Sequence, residues 1–305
     1  MIEAKNATFL FQRDFMDYHR DKFEDYSLMV YKKEKLVALL PANINDNIVY
    51  SHQGLSYGGI VFTKDVKFKD SLEVFASILK YLKKAGHYKL YLNPIPQFYN
   101  SKLSEEFLYF LFILQAKLYR RDTLSVIRYS DGVSLSKSRK EGVSRGQKQN
   151  LEIKEVADFE EFWNAILTPN LKLKHNTKPV HSLQEITILK SYFPENIRQF
   201  NVYKNNKIVA GSTIFETPRG AHTQYISGNA NNNSLGSLDF LHAHLINTVF
   251  KDKVFFDFGN SNMNNGQEVN YGLLFWKEGF GARTVSQDFY VIDVEKYELL
   301  NTILQ

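Results

Sequence analysis

Apolar residues follow two different spacings along the chain, and together these spacings predict a mixed α/β protein. Over Ser71–Ala85 they return every three or four residues, which predicts a helix that ends at Gly86. Short apolar runs separated by polar turns predict strands, as in Ser27–Lys32 and Lys35–Ala42. We therefore expect an α/β (α+β) fold with a mixed, mostly antiparallel sheet flanked by helices.

The same order of predicted elements occurs twice. VYKKEKLVALLP (Val30–Pro41) is matched by VYKNNKIVAGST (Val202–Thr213), and the strands and helices that follow them correspond one by one. A repeat of this length indicates two copies of one supersecondary unit, because a solenoid needs a shorter period and more copies. We expect two domains, residues 1–135 and 136–305.

Composition narrows the class of protein. The 305 residues are 44% apolar, so a sizeable core is expected, and the absence of cysteine excludes disulfides and thiolate chemistry. The N-terminus lacks the pattern of a signal peptide, which favours a cytoplasmic protein. The longest apolar run, Phe107–Leu114, is too short for a membrane span, and we expect it to be a fully buried helix segment.

Charge is modest, at +5 from 38 basic and 33 acidic residues, and does not by itself indicate nucleic-acid binding. The basic residues cluster in Lys137–Lys148, which contains five of them and a single acidic residue, Glu141. This segment is either a solvated helix or linker face, or a docking point for phosphates of a substrate or donor. Both interpretations stay open.

The most unusual segment is Phe255–Ala282. It predicts an apolar strand, a polar loop over Gly259–Asn270 with five asparagines, and an amphipathic helix that ends at Gly279–Gly281. Asparagine and glycine form turns, so the loop could serve only to reverse the chain. Loops at strand ends also carry function, and the first copy has no amide-rich counterpart. We expect the loop to bind substrate.

The order of elements resembles the GNAT superfamily of N-acyltransferases, present in tandem as in the Fem-type peptidoglycan-bridge ligases. The resemblance is carried by Phe256-Asp257-Phe258-Gly259, by the helix end Leu273–Gly281 and by the basic segment Arg139–Lys148. It implies that the second domain binds the donor and performs catalysis, while the first is degenerate and contributes structure or the acceptor side. It also implies acyl-CoA, acetyl-CoA or longer, as co-substrate.

Two positions depart from the GNAT pattern. The phosphate-binding loop corresponds to Asn231–Gly236, with Ser234 at the first glycine, and Phe275 replaces a tyrosine acid, leaving Tyr271 as the nearest substitute. The donor site that the resemblance implies lies on the fourth strand of the second copy and on this loop. Its residues are Tyr225, Ile226, Ser227, Asn233, Ser234, Gly236 and Ser237.

Acyl transfer to an amine requires a base, and the candidates are histidines and one strand carboxylate. The predicted catalytic residues are Asp257, His222, His181 and Tyr271. We expect Asp257 to be buried and paired, because an unpaired carboxylate on an apolar strand is costly. The predicted substrate-binding residues are His175, Lys178, Gln224, Asn260, Ser261, Asn262, Asn270, Lys277, Arg139 and Arg145. No arrangement of residues suggests a metal site.

The function predicted is transfer of an acyl group from acyl-CoA to a small-molecule amine, such as a nucleotide- or lipid-linked amino sugar of a cell-surface glycan. The second hypothesis is a Fem-type ligase that uses aminoacyl-tRNA and a peptidoglycan precursor. The third is a non-catalytic module that binds a glycan or a partner, consistent with the altered phosphate loop and the missing tyrosine.

Overall fold

The computed structural model describes residues 3–304 and consists of strands and helices in the order that the sequence predicts. The strands are β1 (Glu24–Asp25), β2 (Leu28–Lys32), β3 (Lys35–Leu40), β4 (Asn43–Asn45), β5 (Ile48–Tyr50), β6 (Val61–Phe62), β7 (Lys89–Leu92), β8 (Lys117–Arg128), β9 (Glu152–Val156), β10 (Ile197–Lys204), β11 (Lys207–Glu216), β12 (Gly220–Gly228), β13 (Phe255–Asn260), β14 (Asn262–Met263), β15 (Glu268–Val269) and β16 (Arg283–Asp293).

The helices are α1 (Arg13–Met16), α2 (Phe68–Lys84), α3 (Glu106–Ile113), α4 (Lys137–Lys148), α5 (Glu160–Phe162), α6 (Thr168–His175), α7 (Leu183–Tyr192), α8 (Asn232–Leu235), α9 (Ser237–His244) and α10 (Tyr271–Glu278). A π-helical turn, Trp163–Leu167, joins α5 to α6, and a second, Leu245–Val249, continues α9. No helix within residues 3–304 is long and apolar enough to cross a membrane.

The chain divides into two compact units, one of residues 3–122 with 286–304 and one of residues 123–285. The division differs from the predicted boundary after residue 135, because β8 and β16 each begin in one unit and end in the other. The last part of β16 pairs with β7 in the first unit, from Tyr290 opposite Leu92 to Asp293 opposite Lys89. Whether the predicted boundary describes the evolutionary domains stays a prediction.

Each unit contains one parallel strand pair among antiparallel neighbours. In the first unit β5 runs parallel to β7, and β4 and β16 flank this pair. In the second, β12 runs parallel to β13 within the order β8-β13-β12-β11-β10-β9. Parallel neighbours require a crossover connection, and α2 and α8–α9 provide it in the two units. The predicted fold class, a mixed sheet flanked by helices, is confirmed.

The two copies agree in local detail at the hairpins β2–β3 and β10–β11. Each turn has two residues in the left-handed region, Lys33 and Glu34 in the first and Asn205 and Asn206 in the second. Each hairpin also has a register irregularity immediately before its turn. Turns with two such residues match the twist of the flanking strands, so both copies use the same solution.

The two cores are built from the apolar faces that the sequence indicates, with one exception. The apolar face of α2 is buried, including Phe75 and Leu82. The prediction for Phe107–Leu114 was wrong: α3 buries Phe110 and Leu111, but Phe112 keeps 77% of its surface exposed. A helix packed on one side cannot bury residues around its whole circumference.

Candidate functional site

The candidate site lies where the parallel strands β12 and β13 separate. The two strands pair over three positions only, from Gly220 opposite Phe255 to His222 opposite Asp257. β12 then continues to Gly228 alongside β11, without further pairing to β13 in the described chain. Ligands in α/β sheets commonly bind outside the carboxyl ends of such strands. The last paired residues, His222 and Asp257, therefore lie where the hydrogen bonding between the two parallel strands ends.

A histidine–aspartate pair occupies this position. His222 Nδ1 lies 2.8 Å from Asp257 Oδ2, as the shared register requires. Asp257 is 1% exposed, while the His222 side chain keeps 20% of its surface. Because a carboxylate only accepts hydrogen bonds, Nδ1 carries the proton and Nε2 is left as the basic nitrogen. The prediction that Asp257 is buried and paired is confirmed.

The backbone after Asp257 completes the support of this pair. Asp257 Oδ1 accepts a hydrogen bond of 2.7 Å from the amide of Gly259. Gly259 has φ +70°, and a Cβ there would lie 3.2 Å from His222 Cε1. Glycine therefore suits both the left-handed backbone and the close approach of the imidazole.

Lys277 was predicted to bind substrate and is instead buried beneath the loop. Only 2% of it is exposed, and its ammonium donates to the carbonyl oxygens of Gly259 (3.0 Å) and Asn260 (2.5 Å). Burial lowers the pKa of Lys277 to about 8, and the negative charge of Asp257 opposes that change. Lys277 thus anchors the end of β13 next to the pair.

The strand β12 is irregular beside the site. Thr213 lies opposite Tyr225 and Ile214 opposite Thr223, so Gln224 is an extra residue without a partner on β11. Bulges of this kind redirect backbone groups and are frequent beside active sites. Ile226, predicted to contact the donor, lies further along the same strand opposite Ser212. Its role, like that of Gln224 in substrate binding, stays a prediction.

His181 and Tyr225 bind each other rather than the His222–Asp257 pair. The Tyr225 hydroxyl lies 2.6 Å from His181 Nδ1 and accepts a bond of 3.0 Å from the His181 amide. Trp163 Nε1 donates to the His181 carbonyl at 3.2 Å. Burial raises the pKa of Tyr225 to about 12, which keeps the phenol protonated. These buried contacts are typical of a structural histidine.

The side chain of one asparagine, Asn170, hydrogen-bonds α6 to the end of β12. Asn170, on α6, donates to Ser227 Oγ at 2.8 Å and to the Gly228 carbonyl at 2.7 Å. Sequence reasoning missed Asn170, because nothing in its neighbourhood marks it apart from other polar helix residues. Ser227, predicted to contact the donor, is therefore held by the protein.

Most asparagines of the polar loop have structural partners. The loop forms the hairpin β14–β15, whose turn contains Asn264 and Asn265, both in the left-handed region. Asn262 Oδ1 accepts from the amide and the hydroxyl of Thr123, at 2.7 and 2.9 Å. Asn270 caps α10 by accepting from the amide of Leu273. The amide density of the loop thus has a structural cause.

The structure does not assign a role to three further predicted residues, Asn260, Ser261 and Tyr271. Asn260 is exposed at the end of β13, and its carbonyl accepts from Lys277. Ser261 is buried, and its hydroxyl has no hydrogen-bond partner within residues 3–304. Tyr271, the proposed substitute acid, is exposed at the start of α10 and packs on Phe275. Their roles stay predictions.

The altered phosphate loop uses its own side chains to satisfy the start of α9. Asn232 Oδ1 accepts from Ser237 Oγ at 2.8 Å and from the Leu238 amide at 3.1 Å. Ser237 is fully buried, and the Ser234 hydroxyl donates to the carbonyl of Asn231. An anion bound to the Leu238 amide would have to displace the Asn232 side chain, which the sequence could not reveal. Asn233 is exposed on α8.

The basic segment forms α4 and packs closely on α9. A Cβ on Gly142 would lie 1.7 Å from Asp239 Oδ2, and one on Gly236 would lie 2.1 Å from the Gly142 carbonyl. Arg139 donates to Asp239 at 2.6 Å, and Trp276 donates to the same oxygen at 2.8 Å. Arg139 is therefore engaged within the protein.

Two of the remaining predicted substrate residues are exposed. Arg145 is exposed on α4, and Lys178 is exposed in the segment before α7. His175 ends α6, and the position of its side chain lies outside what the structure describes. Among the described side chains, neither Arg145 nor Lys178 has a contact with the His222–Asp257 pair.

No protein-family model matches the sequence, and no curated protein has significant sequence similarity to it. Solved structures match nearly the whole chain. FemX superposes with a TM-score of 0.67 at 12% identity, over 99% of this chain and 96% of FemX. L-PGS from Bacillus licheniformis superposes with a TM-score of 0.59 at 10% identity, over 96% of this chain and 98% of that one.

A third similar structure is the C-terminal domain of a putative lysylphosphatidylglycerol synthetase from Agrobacterium fabrum. It has a TM-score of 0.59 and 13% identity, over 88% of this chain and 83% of that one. Identities this low establish the fold alone. The chain shares the fold of FemX and of these synthetase structures, as the resemblance to the Fem-type ligases implies.

Proposed function

We propose that the protein is an acyltransferase that transfers an acyl group to an amine, with His222 as the base and Asp257 as its orienting partner. The observation that carries the proposal is this pair at the point where β12 and β13 separate. A partly exposed imidazole at the end of this strand pair suits abstraction of a proton from an incoming amine. The fold similarity supports a transferase at the level of the fold.

In the proposed reaction His222 Nε2 accepts the proton of the attacking amine as the new C–N bond forms. Asp257 stabilises the resulting imidazolium without itself becoming protonated. The negative charge that develops on the carbonyl oxygen requires hydrogen-bond donors. The unpaired edge of β12 beside Gln224 would supply backbone amides for this purpose. The carbonyl then reforms as the bond from the acyl carbon to the donor's sulfur or oxygen breaks, and the His222 imidazolium returns its proton to that leaving atom.

Two donors are considered, a coenzyme A thioester and aminoacyl-tRNA. They differ in what they require of the backbone amides at the start of α9. A coenzyme A thioester would place its pyrophosphate on backbone amides there, as GNAT enzymes do. Asn232 already occupies the amide of Leu238, so the residues present do not fit a pyrophosphate without rearrangement. This favours the second donor, aminoacyl-tRNA. One structural neighbour is named for lysylphosphatidylglycerol synthesis, which is compatible with an aminoacyl donor.

For the acceptor we propose a ring-bearing amine, such as a nucleotide- or lipid-linked amino sugar. In the first unit the last paired residues of the parallel strands are Tyr50 and Tyr91, whose rings stack at 4.9 Å. They line a cleft of about 250 Å³ together with Tyr119, Phe289 and Arg120. Flat aromatic faces stack on ring-shaped ligands. The end of the parallel strand pair thus carries a stacking surface in the first unit. In the second unit the corresponding position carries a proton acceptor.

The test compares the wild-type protein with His222→Gln, using acetyl-CoA and aminoacyl-tRNA as donors and a panel of nucleotide-linked amino sugars as acceptors. Free thiol or deacylated tRNA and the acylated amine are both measured. We expect turnover with one donor and a loss of at least about a hundredfold in kcat for His222→Gln. Failure of the wild-type protein to bind either donor would favour the non-catalytic hypothesis, and full activity of His222→Gln would rule out the proposed base.

A further inference from the structure

The outer face of α3 is apolar and exposed. Leu108, Tyr109 and Phe112 fall within one side of the helix because residues three and four apart share a face. All three are exposed, Phe112 most of all, while Phe110 and Leu111 on the inner side are buried. Helices of globular proteins normally present polar residues on the side that faces water. The outer face of α3 therefore departs from the ordinary pattern.

Two further side chains extend this face into a patch. Phe68, the first residue of α2, has its ring 6.0 Å from the ring of Tyr109, and Leu103, just before α3, is 88% exposed. We call Phe68, Leu103, Leu108, Tyr109 and Phe112 the α3 patch. Single exposed apolar residues are common, but contiguous groups mark interaction sites.

Lysines border the α3 patch. Lys67 directly precedes Phe68, and Lys102 directly precedes Leu103. The ammonium of Lys102 reaches the carbonyl of Lys64 at 3.5 Å, so these lysines gather at one end. Lys117, the first residue of β8, is exposed shortly after the other end of α3.

Four carboxylates lie near the same border, and three of them are engaged. Asp70, two residues after Phe68, lies 2.7 Å from Lys32. Asp65 lies 3.6 Å from Lys35, and Glu106 lies 3.1 Å from the buried Lys5. Glu105 is exposed. Its single charge leaves an excess of positive charge around the patch.

We propose that the α3 patch docks the protein on the surface of an anionic lipid bilayer. Aromatic and aliphatic side chains enter the headgroup region, while neighbouring lysines bind lipid phosphates. A second copy of the chain fits this surface less well, because a twofold contact would bring the two lysine borders together. The charge pattern therefore selects the lipid surface, and this assignment does not depend on the proposed reaction.

The test measures partitioning of the full chain onto vesicles of phosphatidylglycerol with phosphatidylcholine, compared with phosphatidylcholine alone, by co-sedimentation. The variants are Phe112→Asp, the triple change Lys64→Gln, Lys67→Gln and Lys102→Gln, and the control Tyr192→Asp, an exposed aromatic residue of α7 in the other unit. Circular dichroism and gel filtration of each variant establish its fold and oligomeric state.

Wild-type protein should bind the anionic vesicles and lose binding as salt is raised. Phe112→Asp should lower the partition coefficient at least about tenfold. The triple lysine change should lower it on the order of a hundredfold, about fivefold for each lysine removed, and Tyr192→Asp should leave it unchanged. The proposal is overturned if the wild-type protein ignores anionic vesicles, or if Tyr192→Asp weakens binding as much as Phe112→Asp. It is also overturned if Phe112→Asp only converts a dimer to a monomer.

Discussion

His222 and Asp257 meet because β12 and β13 run parallel in one register, with the crossover through α8 and α9 between them. Sequence reasoning selected both residues as separate candidates for the base. It could not pair them, since the register of two strands joined by a crossover depends on packing rather than on local spacing. A buried carboxylate next to a histidine fixes the proton on the ring nitrogen that it contacts, here Nδ1 of His222.

Asp257→Asn tests this pair. The amide of the new side chain would donate to Nδ1, so that Nε2 would carry the proton and could no longer act as base. We expect kcat to fall by about 10²–10⁴. The change in melting temperature should be small, since the asparagine oxygen can still accept from the Gly259 amide. Activity and thermal unfolding are measured together.

Asp239→Asn is the matched control, because Asp239 is also buried and hydrogen-bonded, to Arg139 and Trp276. It should lower stability and leave kcat of the folded protein unchanged. If Asp257→Asn unfolds the chain while its residual folded fraction keeps full kcat, Asp257 is a structural residue.

Lys277 has a predictable signature in the pH dependence of stability. Its pKa is about 8 in the folded protein and 10.5 when unperturbed. Below pH 8 both states hold the proton, and the cost of burying the charge is fully present. Between pH 8 and 10.5 the unfolded state holds more proton, so this cost diminishes as pH rises.

The stability of wild-type protein relative to Lys277→Met should therefore rise across that window, by on the order of 3 kcal/mol. Denaturant unfolding of both proteins at several pH values measures the difference. A difference that is flat or falls with pH would contradict burial of the ammonium.

At the scale of the element, the sequence predicts local structure such as hairpins and turns, but it does not predict how the elements pack on one another. The β2–β3 and β10–β11 hairpins follow from alternation and short polar turns, which are properties of neighbouring residues. The amide-rich loop shows the opposite case, because turn-forming asparagines such as Asn265 and an N-cap such as Asn270 have the same side chain as a ligand-binding residue. Only the partners distinguish these roles.

The contact between α4 and α9 yields a prediction against helix propensity. Alanine normally stabilises a helix relative to glycine by about 1 kcal/mol. At Gly142 the added methyl group would overlap the carboxylate of Asp239, so Gly142→Ala should lower stability by about 1–3 kcal/mol.

Gly272→Ala, in α10, is the control for this change. The nearest atom to a Cβ there is 3.6 Å away, so the methyl group fits and the variant should be slightly more stable than wild type. Both are measured by denaturant unfolding. Equal effects of the two changes would show that α4 can move away from α9.

At the scale of the molecule, the repeat was evident from the sequence because the β2–β3 and β10–β11 hairpins have similar sequences. Its consequence for function was less evident. The corresponding position of the parallel strands holds His222 and Asp257 in the second unit and Tyr50 and Tyr91 in the first. The duplication thus kept the backbone arrangement while the chemistry of the two copies diverged.

The aromatic cleft of the first unit predicts a separation of kinetic effects. Tyr91→Ala would remove a ring that stacks on Tyr50 and contacts Tyr119. If this surface only binds the acceptor, KM for the acceptor should rise about tenfold while kcat stays within about twofold. Tyr91→Phe keeps the ring and should behave as wild type. A fall in kcat without a change in KM would place the cleft outside acceptor binding.

The path of β16 has a consequence for the order of folding during synthesis. Residues 286–304 complete the first unit, yet the ribosome makes them after the whole second unit. Nascent domains generally fold from the N-terminus onward. Here the unit that begins first must finish last, with the edge of β7 that later receives β16 uncovered in the meantime. Such an open strand edge invites pairing with other chains, so we expect the nascent protein to depend on chaperones until its final strand is released.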